Sequence, residues 1–341
     1  MQYLACDLGG SSLKHALVDE HGTASHFGQR PAPLASREEF VEAVGNLFDR
    51  HRGVAGVALS IPGYVDSETG TLISSGAYTA LWGASLPELL RHRCPTNISV
   101  ENDGKCAALA EAWNGALADA RDGAVIILGS GTAGGIVKDK RVHRGRGGAA
   151  GEFSYMMSRP GNRDLMSSFV MTTGMIGITY KLCRAKGIDL AIQDSGPSLV
   201  ELDKHLGDNT GQAQGERAQI VVDGKQFLAW VAAGDAAAAA LYRDLIDNVA
   251  ALVNNIQVIF APEAIALGGG LSRGPGVIDD VRSALDGYYQ AIGIGDALRA
   301  EIVPCVHGAR TNLIGAVYHH LVQFAEPAAP DCEAGTVRVP A

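Results

Sequence analysis

A few carboxylates stand beside glycine loops in this chain of 341 residues, and they are its side chains best suited to chemistry. Asp103 closes the run Glu101-Asn102-Asp103, just past the short apolar strand Ile98-Ser99-Val100 and in a loop that opens a helix. Active sites of α/β folds collect at such strand ends. A carboxylate placed there can accept the proton of an alcohol while a new bond forms to its oxygen. An aspartate in that position equally suits the helix N-cap, and spacing alone leaves both roles open. Asn102 beside it offers a donor and an acceptor together, which suits paired hydroxyls. Asp7 ends the first apolar run, and Glu152 follows Gly151 in a second glycine-rich stretch.

Glycine is the anomaly of the composition, at 43 residues of 341, where an average protein has roughly 7%. Three clusters each follow a predicted strand: Gly9-Gly10, the stretch from Gly129 to Gly135, and Gly268-Gly269-Gly270. Without a Cβ, backbone N–H groups can approach an anion closely. One such cluster is an ordinary tight turn; three in one acidic chain point to a nucleotide, which offers several phosphates and a base. The Walker A pattern is absent, and Gly129-Ser130-Gly131 leads into a strand where a Rossmann motif would lead into a helix.

These loops need strands to hold them. Tyr3 to Leu8 and Leu13 to Val18 read as a pair of strands about Gly9-Gly10-Ser11-Ser12, followed by a second hairpin at residues 19–22. A helical stripe runs through Phe40, Val41, Val44, Leu47 and Phe48, and Val54 to Leu59 reads as a buried strand ending in Ser60-Ile61-Pro62-Gly63. An Ala-rich helix is predicted from Lys105 to Trp113. The opening pattern then returns: strand Ala124 to Leu128, a glycine turn to Gly135, and a second strand from Ile136. That repeat predicts two related α/β units facing one another. Further on, Leu241, Leu245, Val249, Leu252, Ile256 and Ile259 form one apolar stripe of a helix stopped by Pro262. Ala264 to Leu267 is a strand, and helices are predicted at 276–291 and 311–325. Gly207 to Gly215 reads as a mobile polar loop and the Pro- and Ala-rich tail from Glu326 as a flexible extension.

Composition narrows the partners. The formal net charge is −9 and no large basic face is evident, which argues against nucleic acid. The cluster Lys138, Lys140, Arg141, Arg144 and Arg146 reads as a solvated hairpin. No stretch reaches the ~18 apolar residues of a membrane span. Residues 1–7 lack the features of a secretory leader, and nothing apolar precedes Leu4-Ala5-Cys6 to make a lipoprotein site. Six scattered cysteines without a CxxC pair read as reduced thiols. A cytoplasmic protein is expected.

The sequence resembles the ROK family of repressors, open reading frames and sugar kinases, within the actin-like ATPase superfamily. The resemblance is carried, in order along residues 1–325, by Asp7-Leu8-Gly9-Gly10-Ser11; Ile61-Pro62-Gly63-Tyr64-Val65-Asp66; Glu101-Asn102-Asp103; Gly129-Ser130-Gly131-Thr132-Ala133-Gly134-Gly135; Ala150-Gly151-Glu152; Gly268-Gly269-Gly270-Leu271-Ser272; and Leu313-Ile314-Gly315-Ala316. It implies two actin-like, ribonuclease H-like α/β lobes about a central cleft: one of residues 1–115 plus 311–325, one of 116–310, with 326–341 as a tail. It implies ATP and Mg²⁺ as cofactors and a sugar as substrate. Asp103 then becomes the catalytic base. Gly63, Asn102, Glu152 and Tyr155 become sugar contacts. Gly9, Gly10, Ser11, Gly131, Thr132, Gly134 and Gly135 would line two phosphate loops, and Gly268, Gly269 and Gly270 would sit against the adenosine. Asp7 would hold Mg²⁺ through a water or phosphate. Lys14 is set aside as solvated.

One stretch departs from the family pattern. Where most members read Gly-Glu-x-Gly-His, this chain reads Gly151-Glu152-Phe153-Ser154-Tyr155, and residues 156–182 hold no Cys or His. The resemblance therefore implies no zinc site. It also directs attention to substrate, because a tyrosine near the sugar's reducing end offers a face for a second ring or an aglycone. The zinc-less pattern resembles the β-glucoside kinase branch, so phosphorylation of the 6-hydroxyl of a β-glucoside such as cellobiose is expected. The alternatives are a glucokinase or N-acylhexosamine kinase, a non-catalytic sugar-binding regulator, and a DNA-binding repressor. The last is disfavoured because the first loop begins at Asp7 and leaves no room ahead of it for a DNA-binding domain. The family suggests a homodimer.

Overall fold

A computed structural model describes residues 1–75, 77–159, 167–186, 224–293 and 295–325. The predicted loop at Gly207 to Gly215 and the tail from Glu326 lie outside these residues.

Two five-stranded sheets organise the chain. The first comprises β1 (Gln2–Leu8), β2 (Ser12–Asp19), β3 (Ala24–Pro31), β4 (Gly56–Ile61) and β7 (Asn97–Asn102), in the order β3-β2-β1-β4-β7. Its first three strands are antiparallel; β4 and β7 run parallel to β1. A small hairpin of β5 (Tyr64–Asp66) and β6 (Thr71–Ser74) stands apart from it. The second sheet comprises β8 (Gly123–Leu128), β9 (Thr132–Lys138), β10 (Arg141–His143), β11 (Ala264–Gly268) and β12 (Glu301–Pro304), ordered β10-β9-β8-β11-β12. Here too an antiparallel hairpin flanks the central strand on one side and parallel strands on the other. The repeated strand–glycine–strand pattern is thus the central hairpin of each sheet, β1–β2 and β8–β9.

The strand chemistry follows burial on both faces. All six residues of β4 are buried, as a central parallel strand requires. In β1, Leu4, Cys6 and Leu8 pack with Phe40, Val44 and Leu47 of the helix Arg37–Arg50. Tyr3 and Ala5, on the alternate face, pack with Leu313, Ala316 and Val317 of the helix Thr311–Phe324. That last helix also lies against the helix Asp103–Asn114. A Cβ on Gly315 would fall 1.7 Å from the Cys106 carbonyl, so the two helix backbones nearly touch there.

The long helix Ala236–Phe260 buries Leu245, Val249, Leu252 and Ile256, as the stripe predicts. Ile259 departs from it and is 79% exposed, beside Val258 at 69%. Only the outer side of the last turn is open, since Gln257 there is buried and bonded to Leu298 and Ala300, and Ala261 ends the helix in a left-handed conformation. No described helix is long and apolar enough to cross a membrane.

Candidate active site

The Asp7 carboxylate sits at the end of β1, buried and held from three sides. Its Oδ1 accepts from Ser60 Oγ at 2.9 Å and from Asn312 Nδ2 at 3.0 Å. Lys14 Nζ lies 3.5 Å from Oδ2. Lys14 is therefore not simply solvated, as its strand position suggested. It faces Asp7 directly across the β1–β2 register, and counting back from the glycine turn would have found it. Ser60 and Asn312 reach Asp7 from β4 and from the start of the last helix, contacts that no local pattern announces. Beyond Asp7, the Gly9 carbonyl accepts from the buried Tyr78 hydroxyl at 2.9 Å, which ties the first glycine turn to the loop after β6.

The three glycine turns share one property. At Gly10 and Gly129 an added Cβ would meet nothing nearer than 3.8 Å, and at Gly270 nothing within 4 Å. Each turn thus presents backbone beside open space at the end of a strand, the cradle that a triphosphate requires. The second and third turns are joined, since Leu271 N donates to the Leu128 carbonyl at 3.4 Å, and Ser272 Oγ braces the third turn from within by donating to the Gly269 carbonyl at 3.2 Å.

Several predicted loop residues have other surroundings. β9 begins at Thr132, so Thr132, Gly134 and Gly135 belong to a strand and not to the turn. The Thr132 hydroxyl is buried against Thr173 Oγ1 at 2.5 Å and the Phe169 carbonyl at 3.3 Å. A Cβ on Gly134 would strike Phe153 at 2.3 Å, and one on Gly104 would strike the Gly134 carbonyl at 2.3 Å. Gly135 likewise abuts Ala108 and Gly104, and Gly151 comes close to Gly135. These glycines let β9 lie directly on the helix that carries Asp103 and on the loop that carries Glu152. Gly268 closes β11, and Gly269 has φ +95° with the Leu128 carbonyl behind it.

Asn102 caps the helix, not Asp103. Its Oδ1 accepts from Lys105 N at 3.0 Å, and the helix begins at Asp103, two residues earlier than predicted. Asn102 Nδ2 donates to the Gly63 carbonyl at 2.9 Å and lies 3.2 Å from Asp103 Oδ1, so all three predicted residues meet. Gly63 is required: φ is +107°, and a Cβ would sit 2.1 Å from the Ser74 carbonyl. The half-buried Asp103 carboxylate accepts from Gly104 N at 2.8 Å. Burial first, then the carboxylates of Glu152 and Asp7, push its pKa up to about 7. It is one of three neighbouring carboxylates, with a proton affinity suited to accepting a proton near neutrality.

Glu152 is also pushed up by burial, against the pull of Lys105, whose Nζ donates to Oε1 at 2.8 Å. Close by, the rings of Tyr64 and Tyr155 stack at 5.7 Å with 10° between planes. Burial raises the pKa of both hydroxyls; Glu152 adds to it at Tyr64, and Tyr64, then Glu152 and Asp103, add to it at Tyr155, so both rings border Glu152. Tyr155 remains 54% exposed. Tyr64, Lys105 and Glu101 were not singled out by residue type. The Arg144 guanidinium, read as part of a solvated hairpin, instead grips the buried Glu101 carboxylate at 2.7 and 2.8 Å and donates to His319 at 3.3 Å. It thereby ties the end of β7 to the segment after β10.

Two sheets of matching strand order, with open glycine turns at their strand ends and a carboxylate cluster, define the actin-like ATPase fold. The chain belongs to the ROK family, whose model matches residues 3–322. The β-glucoside kinase of Klebsiella pneumoniae is 27% identical over 328 residues, covering 96% of this chain and 98% of that protein. An N-acetyl-D-glucosamine kinase of Escherichia coli O127:H6 is 27% identical over 326 residues, covering 94% and 99%. The ROK family glucokinase of Streptomyces griseus, solved with glucose and AMPPNP, shares the fold with a TM-score of 0.72 at 24% identity, over 93% of this chain and 98% of that one.

Proposed function

We propose that this ROK-family sugar kinase transfers the terminal phosphoryl group of ATP to the 6-hydroxyl of a β-glucoside such as cellobiose. The observation that carries this is the stacked Tyr64–Tyr155 pair beside Glu152 and Asp103. An aromatic platform at the edge of a polar sugar site suits a second ring, because the apolar face of a pyranose stacks on it. The name of the Klebsiella relative supports the same substrate.

Asp103 takes the proton of the 6-hydroxyl, and its high proton affinity is matched to that task. Asn102 and the Gly63 backbone orient the hydroxyls, and Glu152 accepts from others. The turn of Gly9, Gly10 and Ser11, open at Gly10, and the turn that reaches Gly131, open at Gly129, hold phosphate, and Gly268 to Gly270 lies against the nucleoside. Asp7 would hold Mg²⁺ through a water or a phosphate. Mg²⁺, when bound with ATP, offsets phosphate charge. The sugar draws together a lobe of 1–115 plus 311–325 and a lobe of 116–310, excluding water from the transfer.

Steady-state kinetics with cellobiose, glucose, N-acetylglucosamine and fructose test the reading. A higher kcat/KM for cellobiose than for glucose is expected. A preference for glucose or N-acetylglucosamine would remove the β-glucoside assignment and leave a hexose kinase. No sugar-dependent ATP turnover with any of them would remove the kinase.

A further inference from the structure

Lys105 has no role in the transfer described above, yet its position is costly. It stands in the first turn of the helix Asp103–Asn114 and its side chain is 1% exposed. A buried ammonium is tolerated only where it is paired and hydrogen-bonded. Its pairing is with Glu152 Oε1 at 2.8 Å, and Glu152 hangs from a loop that touches β9 through Gly151. The ion pair thus spans from the helix bearing Asp103 to the loop bearing Glu152.

We propose that Lys105 is a positioning residue for sugar recognition: its ammonium keeps the Glu152 carboxylate ionised and fixed, with Oε2 left to accept sugar hydroxyls. The proposal rests on the kinase reading and deepens it. The charged and titratable groups around the pair are Asp103, Glu101, Tyr64 and Tyr155. Three carboxylates and two phenols lie about this one ammonium; Glu101 has its own cation in Arg144, and Lys105 also pulls down the pKa of Asp103. Burial and Glu101 favour the protonated form of Glu152, and Lys105 opposes them. Without the cation, Glu152 takes up a proton at higher pH and loses its charge-assisted hydrogen bonds to the sugar.

The test compares Lys105→Met, Glu152→Gln and the double variant with the wild type, using MgATP and the preferred sugar. K105M is expected to raise sugar KM by roughly tenfold or more, leave ATP KM nearly unchanged, and move the acidic limb of kcat/KM for sugar to higher pH. The double variant should be no worse than E152Q alone. Where K105M does not fold, Lys105→Gln carries the same expectations, since it keeps a donor and removes the charge. An unchanged sugar KM and pH limb would overturn the proposal. So would a double variant whose losses multiply, because Lys105 would then act independently of Glu152. Wild-type turnover is measured first: absence of sugar phosphorylation there refutes the kinase itself, whereas an active wild type with indifferent variants refutes only the role of Lys105.

Discussion

Asn102 Nδ2 donates to the Gly63 carbonyl at 2.9 Å, while Oδ1 of the same side chain caps the helix at Lys105 N. One amide thus locks the bend after β4 to the end of β7 and frees the neighbouring Asp103 from capping. Asn102→Ala is expected to lower stability by about 1 kcal/mol or more, the usual worth of a cap. It should also raise sugar KM, because the Gly63 bend loses its tether. Thermal melts and sugar titrations check both; unchanged values would show that the amide is idle.

Activity should fall as pH drops through about 7. Burial, Glu152 and Asp7 raise the Asp103 pKa to that value, and only the ionised form can accept the hydroxyl proton. The acidic limb of kcat against pH, measured at saturating ATP and sugar, should therefore lie near neutrality. A limb near pH 4, the ordinary aspartate range, would place the base in a different environment.

The same shift has a cost in stability. A carboxyl whose folded pKa lies above its unfolded value contributes most below the unfolded value and loses that contribution as pH rises through the folded one. The window runs from 3.8 to about 7. Asp103→Asn should then melt at a higher temperature than wild type at pH 8 and at the same temperature below pH 4. A gain independent of pH would contradict the assignment.

Tyr155→Ala should raise KM for cellobiose and leave KM for glucose within about twofold, since only the second ring reaches the platform. Tyr64→Ala should act in the same direction, because the two rings stack. Equal losses for both sugars would mean that the tyrosines shape the site for the first ring.

Legibility followed sequence distance. The β1–β2 hairpin, the second hairpin at β8–β9 and the helix stripe through Leu245 to Ile256 come from neighbours in sequence, and their patterns show it. The strand-end position of Asp103 was visible for the same reason. Glycine misled at Gly134 and Gly135, because a turn and a crowded strand both exclude a Cβ, and only the helix packed behind β9 distinguishes them. Lys14 was within reach of register counting. Glu101 with Arg144, Lys105 with Glu152, and Asp7 with Asn312 were not, since each joins elements 43, 47 and 305 residues apart.

The most direct measurement is the turnover of Asp103→Asn. An asparagine keeps the size of the side chain but cannot take the proton of the sugar hydroxyl. The variant should fold, bind sugar with near-normal affinity, and lose kcat by ~10²-fold or more. Near-normal kcat in a folded variant would show that the proton leaves by another route, and the account would fail at its centre.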